Sequence, residues 1–196
     1  MYKAREVTTR GIVLLCRGVG EGSTRALLYT DVLGLVSILL TSGKEERSKL
    51  RPHLQEGTFG VYRLVKGRDV WRVTGATQTE NIYFSLQEHT RGKEAVARVL
   101  SSVRQFVHGE GADPRLFSIL WDFISSMMHI GRAELPEAES IAVLRILAAL
   151  GYVSESVHVN PFLHTSYEHE TLVSAKAARP TLIRIINEAI ATTGLS

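Results

Sequence analysis

Basic side chains with the chemistry to bind phosphate are concentrated in the first 80 residues of this 196-residue chain. That region carries 13 Lys and Arg against 8 Asp and Glu, whereas residues 81–196 carry 10 against 12. Ammonium and guanidinium groups neutralise phosphates and release the counterions that surround a polyanion. The candidate residues of such a polyanion-facing surface are Arg17, Arg25, Lys44, Arg47, Lys49, Arg51, Lys66 and Arg68. Because Glu45 and Glu46 interrupt the densest run, a solvated loop of mixed charge is the alternative interpretation.

Aromatic residues near the same basic segments offer a second kind of contact. Those on or near the last two predicted strands are Phe59, Tyr62, Trp71, Tyr83 and Phe84. Exposed rings stack on bases, although the aromatic residues of a small barrel more often belong to its core. Trp71 stands beside the basic turn formed by Lys66 to Asp69, and we select it as the candidate for base stacking.

The chain lacks the residue patterns that are typical of catalytic and metal sites. It contains no Gly-x-x-x-x-Gly-Lys-Ser/Thr loop, no Gly-x-Ser-x-Gly turn and no His-Glu-x-x-His helix. The one cysteine, Cys16, lies in an apolar run and is interpreted as a core thiol, so a disulfide within the chain and a cysteine-rich zinc module are excluded. His158, His164 and His169 are too scattered for a four-ligand site. We therefore expect no enzyme, no cofactor and no metal.

Short apolar runs separated by turn residues position these side chains up to about residue 84. They predict five β-strands, with a polar insertion from Ser42 to Glu56 after the third. The predicted strands are Gly11 to Arg17, Ser23 to Thr30, Leu35 to Thr41, Thr58 to Val65, and Val70 to about Phe84. Because a closed barrel leaves no exposed strand edge, this pattern favours a small barrel over an open sheet.

Beyond residue 84 the apolar residues recur at helical spacing. The predicted helices are Gly92 to His108, one that starts at Asp113-Pro114 and is apolar nearly all round, Glu137 to Leu150, and Pro180 to about Ala191. Residues 152–178 are expected to be irregular, and Pro180 is expected to open the last helix because proline fits a first helical turn. The fold class is thus α+β, with a barrel followed by a helical domain.

The amino-terminal residues give no sign of a targeting segment. They reach the polar Thr8-Thr9-Arg10 before any apolar run begins, and no apolar stretch approaches the ~20 residues needed to cross a bilayer. We therefore expect a cytoplasmic protein that does not contact a membrane.

Three segments, taken in order, resemble one known family. Residues 11–17, GIVLLCR, precede a glycine-rich turn with Glu21 and Arg25. Residues 34–51 run from Gly-Leu through Ser-Gly-Lys to Ser-Lys-Leu-Arg, and residues 144–152 read LRILAALGY. In these segments the chain is similar to the RecO family of bacterial DNA-repair proteins. Many members carry four zinc-binding cysteines after the third segment, but this chain has none there.

The resemblance implies an OB-fold DNA-binding domain at residues 1–82 and a helical domain at residues 83–196. It implies binding of single- and double-stranded DNA, strand annealing, and help in loading RecA together with RecR. The other implied partner is the acidic C-terminal tail of single-stranded-DNA-binding protein, and the implied location is the bacterial nucleoid. Lys44, Lys49, Arg51 and, less directly, Arg47 match the family's DNA-binding segment.

The alternative function is a protein-interaction adaptor whose barrel scaffolds RecR or single-stranded-DNA-binding protein without binding DNA. A receptor for the acidic tail would need an apolar pocket rimmed by basic residues. The helical half offers Arg98, Arg104, Arg115, Arg132 and Arg145.

Overall fold

The computed structural model describes residues 6–19, 23–40, 49–68 and 70–194. The chain packs as two compact units. The first contains the residues up to Ser85 together with the later segment His108–Pro114, and the second contains Leu86–Val107 and the residues from Arg115 onwards.

Five strands of the first unit form a closed barrel in the order β1-β2-β3-β5-β4. Their bounds are Glu6–Val19 for β1, Ser23–Thr30 for β2, Gly34–Leu40 for β3, Thr58–Lys66 for β4 and Trp71–Asn81 for β5. All paired neighbours are antiparallel except β3 and β5, which are parallel. This is the five-stranded barrel of an OB fold, so the predicted fold class is confirmed.

The first strand closes the barrel because it pairs with two partners. Its first half pairs with β4, and from Gly11 onwards it also pairs with β2. The register shifts between Val13 and Leu15, which marks a β-bulge, and a bulge bends a strand and increases its twist. Gly11 lies where the two pairings overlap, and a Cβ atom there would come within 3.0 Å of Leu28 Cγ.

Alternating side chains from all five strands fill the barrel. In β3 every second residue is buried, as expected for a strand with one face toward a core. The buried cluster includes Val13, Leu28, Val36, Ile38, Leu40, Tyr62, Leu64, Trp71 and Val73. A short 3-10 helix, Arg51–Leu54, adds Leu54 to it.

The fifth strand is shorter than the sequence predicted. It ends at Asn81, and a helical turn, α1 (Ile82–Ser85), takes the place of the expected strand residues. The Asn81 side chain accepts a hydrogen bond from the amide of Phe84 at 3.2 Å and donates one to the Glu56 carbonyl at 3.2 Å. These local bonds satisfy backbone groups that a longer strand would have paired, which explains the earlier stop.

The segment His108–Pro114, which we call the strap, packs against the barrel. The Tyr29 hydroxyl donates to the Asp113 carbonyl at 3.4 Å, and Glu110 contacts Lys66 and Trp71. Gly34 begins β3 at a φ of +71°, and a Cβ atom there would lie 2.2 Å from the Gly111 carbonyl oxygen. The strap can approach β3 this closely only because that position carries no side chain.

The second unit is helical. The remaining helices are α2 (Thr90–Phe106), α3 (Pro114–Ser126), α4 (Leu135–Ala149), α5 (Asn160–Leu163) and α6 (His169–Thr192). Helix α4 contacts α2, α5 and α6, and its residues Ile141, Leu144 and Leu147 are fully buried. A helix buried on several sides is the expected centre of a small bundle.

Two predictions for this half were wrong. Helix α6 begins at His169, so Pro180 lies inside it and residues 169–178 are not irregular. Leu172 and Ala175 continue the buried stripe of Leu182 and Ile186, and this packing outweighs the hydrogen bond that proline removes. The helix that starts at Asp113-Pro114, apolar nearly all round, was expected to lie in a core, but it has an exposed face with Ser118, Trp121 and Asp122.

The burial of three tyrosine hydroxyls predicts that the folded protein loses stability at alkaline pH. Burial raises the pKa of Tyr29, Tyr62 and Tyr167 above the usual value of about 10. These tyrosines ionise at about pH 10 in the unfolded chain but not in the folded chain. The free energy of unfolding is therefore complete below that pH and falls above it. We expect a loss of up to about 1.4 kcal/mol per pH unit for each phenol.

An absorbance titration of tyrosinate checks this expectation. Three of the 6 tyrosines should ionise only as the protein unfolds, whereas all should titrate together in urea. A smooth titration of every tyrosine near pH 10 in the folded protein would contradict it.

Candidate nucleic-acid interface

Two of the sequence-predicted arginines lie side by side on the outer wall of the barrel. Arg17 on β1 is directly opposite Arg25 on β2, and both side chains are exposed. Strand partners of this kind have Cα atoms about 5 Å apart. Like charges at directly opposed positions destabilise a sheet, and an anion bound across the pair would relieve that repulsion.

A third arginine extends the pair across the wall. Arg25 is opposite Leu39 on β3, and Leu39 is in register with Arg72 on β5. Trp71 and Val73 on either side of Arg72 are buried, so its side chain points outward. We call Arg17, Arg25 and Arg72 the arginine row. With one strand between them, Arg25 and Arg72 are about 10 Å apart at the backbone.

The arginine row lacks the acidic partners that Arg10, Arg63 and Lys66 of the barrel have. Among the residues that the structure describes, none of its members forms an ion pair. Elsewhere on the barrel, Arg10 binds Asp31 at 2.8 Å and Arg63 lies 3.6 Å from Glu6. The row is therefore a part of the described wall with uncompensated positive charge.

Sequence reasoning missed Arg72. The strand alternation of Trp71 and Val73 would have shown that Arg72 points outward. It could not have shown that β5 lies next to β3, because that pairing joins strands distant in the sequence.

The segment after β3 supplies further exposed cations at the end of the barrel. Lys49 and Arg51 are exposed on either side of Leu50, which packs against the barrel core together with Cys16. Burial raises the pKa of the Cys16 thiol, and the nearby Arg51 charge opposes that shift, so Arg51 lies close to the end of β1. Lys44 and Arg47 fall outside the described residues.

The turn between β4 and β5 carries the remaining predicted cations, Lys66 and Arg68. Arg68 is exposed, and Arg72 Nε lies 4.0 Å from the position of a Cβ atom on Gly67. Lys66 forms an ion pair with Glu110 of the strap, and its Nζ atom lies 4.8 Å from the centre of the Trp71 ring. Lys66 thus differs from Arg68 in that a carboxylate already compensates its charge.

The structure corrects the role expected for Trp71. Its side chain is 2% exposed within the barrel core, and its indole N–H donates to Glu110 Oε1 at 3.1 Å. A ring enclosed in this way has no free face on which a base could stack. Tyr62 is also buried, whereas Phe84 is 73% exposed.

Two of the arginines considered for the basic rim of an acidic-tail receptor are engaged within the helical unit. Arg98 binds Glu139 with two hydrogen bonds of 2.6 and 2.7 Å, and Arg145 is buried. A surface groove of about 260 Å³ lies between residues 152–159 and α6. Its described lining includes Tyr152, Val153 and Glu188 but no Lys or Arg.

The described residues contain no group of three or more His, Cys, Asp or Glu side chains that could hold a metal ion. His169 Nδ1 instead lies 2.5 Å from Glu134 Oε1. In the same part of the chain, every helix is too short or too polar to span a membrane.

The closed barrel and the arginine row on its wall identify an OB-fold protein with positive charge on its barrel wall. Residues 3–82 match the family described as "Recombination protein O N terminal". The predicted resemblance to RecO is confirmed by this match, which covers the whole barrel.

Curated relatives show the same similarity. The chain is 24% identical over 135 residues to DNA repair protein RecO of Alkaliphilus metalliredigens, and 26% identical over 135 residues to the protein of that name from a strain of Dehalococcoides mccartyi. Each alignment covers 69% of this chain and 53% of the relative. A second Dehalococcoides mccartyi RecO is 24% identical over 156 residues, or 79% of this chain and 60% of the relative. The chain thus spans just over half the length of these relatives.

Proposed function

We propose that the chain is a RecO-like DNA-repair and homologous-recombination mediator that binds single- and double-stranded DNA through the barrel wall that carries the arginine row. The single observation that carries the proposal is the position of this row. OB folds bind oligonucleotides on the face of their second and third strands and with the β1–β2 and β4–β5 turns. Arg17 and Arg25 flank the first of these turns, Arg72 follows the second, and Arg25 points outward from β2.

The proposed mechanism is charge neutralisation without bond making or breaking. Each arginine that contacts a phosphate displaces a counterion, so binding is sequence-tolerant and weakens with salt. Neutralised strands repel each other less, which favours annealing of complementary strands. Lys49, Arg51 and Arg68 would extend the phosphate contacts at the ends of the row. RecR, the tail of single-stranded-DNA-binding protein and, indirectly, RecA are the proposed protein partners in a cytoplasmic location.

Titration of a fluorescently labelled single-stranded oligonucleotide at two salt concentrations tests the proposal. We expect binding whose logarithmic affinity falls linearly with the logarithm of the salt concentration. A duplex of the same sequence should bind with a similar dependence. Absence of binding to either probe, with RecR still bound, would favour the adaptor function instead.

A further inference from the structure

The strap places a carboxylate against Lys66 and Trp71, on either side of the β4–β5 turn. Glu110 Oε1 accepts hydrogen bonds from two donors, the Lys66 ammonium group and the Trp71 indole N–H, the latter at 3.1 Å. Lys66 also lies over the Trp71 ring. Glu110 thus sits between one full positive charge, that of Lys66, and one partial positive charge, that of the Trp71 N–H.

A phosphate oxygen could make the same two contacts. Both carboxylate and phosphate are anions that accept charge-assisted hydrogen bonds from ammonium groups, and both accept from an indole N–H. The Trp71 indole is buried and needs an acceptor, and either anion can supply one. Lys66 and Trp71 Nε1 therefore form an anion site, and the chain itself supplies the present occupant.

The ion pair between Lys66 and Glu110 is open to solvent. The side chains of Lys66 and Glu110 are 33% and 47% exposed. Ion pairs with this degree of exposure contribute little to stability, since water solvates both charges when they separate. Gly109 precedes Glu110 in open space, whereas Gly111 after it approaches Gly34 closely.

We propose that Glu110 is an internal competitor of DNA: its carboxylate occupies an anion site at Lys66 and the Trp71 indole that a phosphate of a bound strand takes over. This inference rests on the proposed function, because it requires that DNA reach the β4–β5 turn. It assigns Trp71 a role as a hydrogen-bond donor in place of base stacking. It also makes Lys66 a residue whose charge becomes available only when Glu110 is displaced.

The variant E110Q tests the exchange while it preserves the hydrogen bonds. The Gln side chain still accepts from the Trp71 indole but carries no charge to hold Lys66. We expect the affinity for a single-stranded oligothymidylate to rise about three- to ten-fold, with a salt slope steeper by about one phosphate contact. E6Q is the matched control, since Glu6 is another exposed barrel acid that faces a cation, and its effect should be smaller.

A double-mutant cycle with K66Q separates competition from net charge. In the K66Q background, E110Q should raise the affinity no more than E6Q does, because no ammonium group remains to be released. An equal gain from E110Q with and without Lys66 would overturn the inference. If wild-type protein bound the oligonucleotide but E110Q and E6Q were indistinguishable, the inference would fail and the proposed function would stand. Absence of wild-type binding would instead remove the proposed function.

Tryptophan fluorescence supplies a second readout, one that a change in stability alone would not produce. The chain has 2 tryptophans, so W121F leaves Trp71 as the only indole. Exchange of the Glu110 acceptor for phosphate should change the Trp71 emission when the oligonucleotide binds. Binding in W121F without any change in emission would mean that Glu110 stays in place, contrary to the proposal.

Discussion

Replacement of Arg17, Arg25 and Arg72 together by Gln is expected to lower the affinity for single-stranded DNA by roughly 100-fold at about 0.1 M salt. Each phosphate contact of a single strand contributes about 0.7 to the slope of log affinity against log salt, so three lost contacts reduce the slope by about 2. At 0.1 M salt, each contact then accounts for about a five-fold difference in affinity. Fluorescence anisotropy of a labelled oligonucleotide at several salt concentrations measures both quantities.

The same variant should not lose stability. Removal of two directly opposed positive charges from β1 and β2 relieves repulsion within the sheet, so the urea midpoint should stay the same or rise slightly. The matched control replaces three exposed cations of the helical unit, Arg91, Lys176 and Arg184, and changes the net charge by the same amount. If both triple variants bound DNA equally well, the arginine row would not be the binding surface.

Replacement of Arg145 by Met is expected to destabilise the protein by about 3 kcal/mol. Arg145 is 5% exposed, and its Nε atom donates to the Phe162 carbonyl at 2.7 Å. Its Nη2 atom donates to the Thr165 carbonyl, and its guanidinium lies 4.7 Å from the centre of the Tyr167 ring. Met fills a similar volume but leaves buried carbonyl groups without donors, which accounts for the loss.

Urea unfolding monitored by circular dichroism measures this loss. R145K should recover only part of it, because an ammonium group lacks the planar fork that reaches two carbonyls at once. R98M is the matched control: Arg98 is more than half exposed in its pair with Glu139, so its removal should cost less than about 1 kcal/mol. Equal costs for R145M and R98M would show that Arg145 does not hold residues 162–167 against α4.

Arg145 also accounts for structure in residues 152–168 that the sequence did not predict. This segment, expected to be irregular, contains α5 and is tied to α4 by the hydrogen bonds of Arg145. Tyr167 packs edge-on against Phe123 at 5.8 Å and extends the same contact to α3. Arg145 therefore cannot contact an acidic tail from the helix surface, although the sequence made Arg145 a candidate for that contact.

Local pattern in the sequence was sufficient for the barrel and for the first three long helices. Alternation of apolar residues is a property of consecutive residues, so it correctly predicted the strands around Leu28, Ile38 and Leu64. The same alternation marks Arg17 and Arg25 as outward-facing once their strands are recognised. The family resemblance depends on this region too, since residues 3–82 carry the match.

Only the tertiary structure decided which of these residues lie together. The parallel pairing of β3 with β5 brings Arg72 into line with Arg25, and the strap brings Glu110 to Lys66 across 44 positions of the chain. Helix α6 runs through Pro180 because packing of its buried stripe outweighs a local preference. Charge compensation, burial of Trp71 and helix length all depend on contacts between distant residues, and no local pattern encodes these.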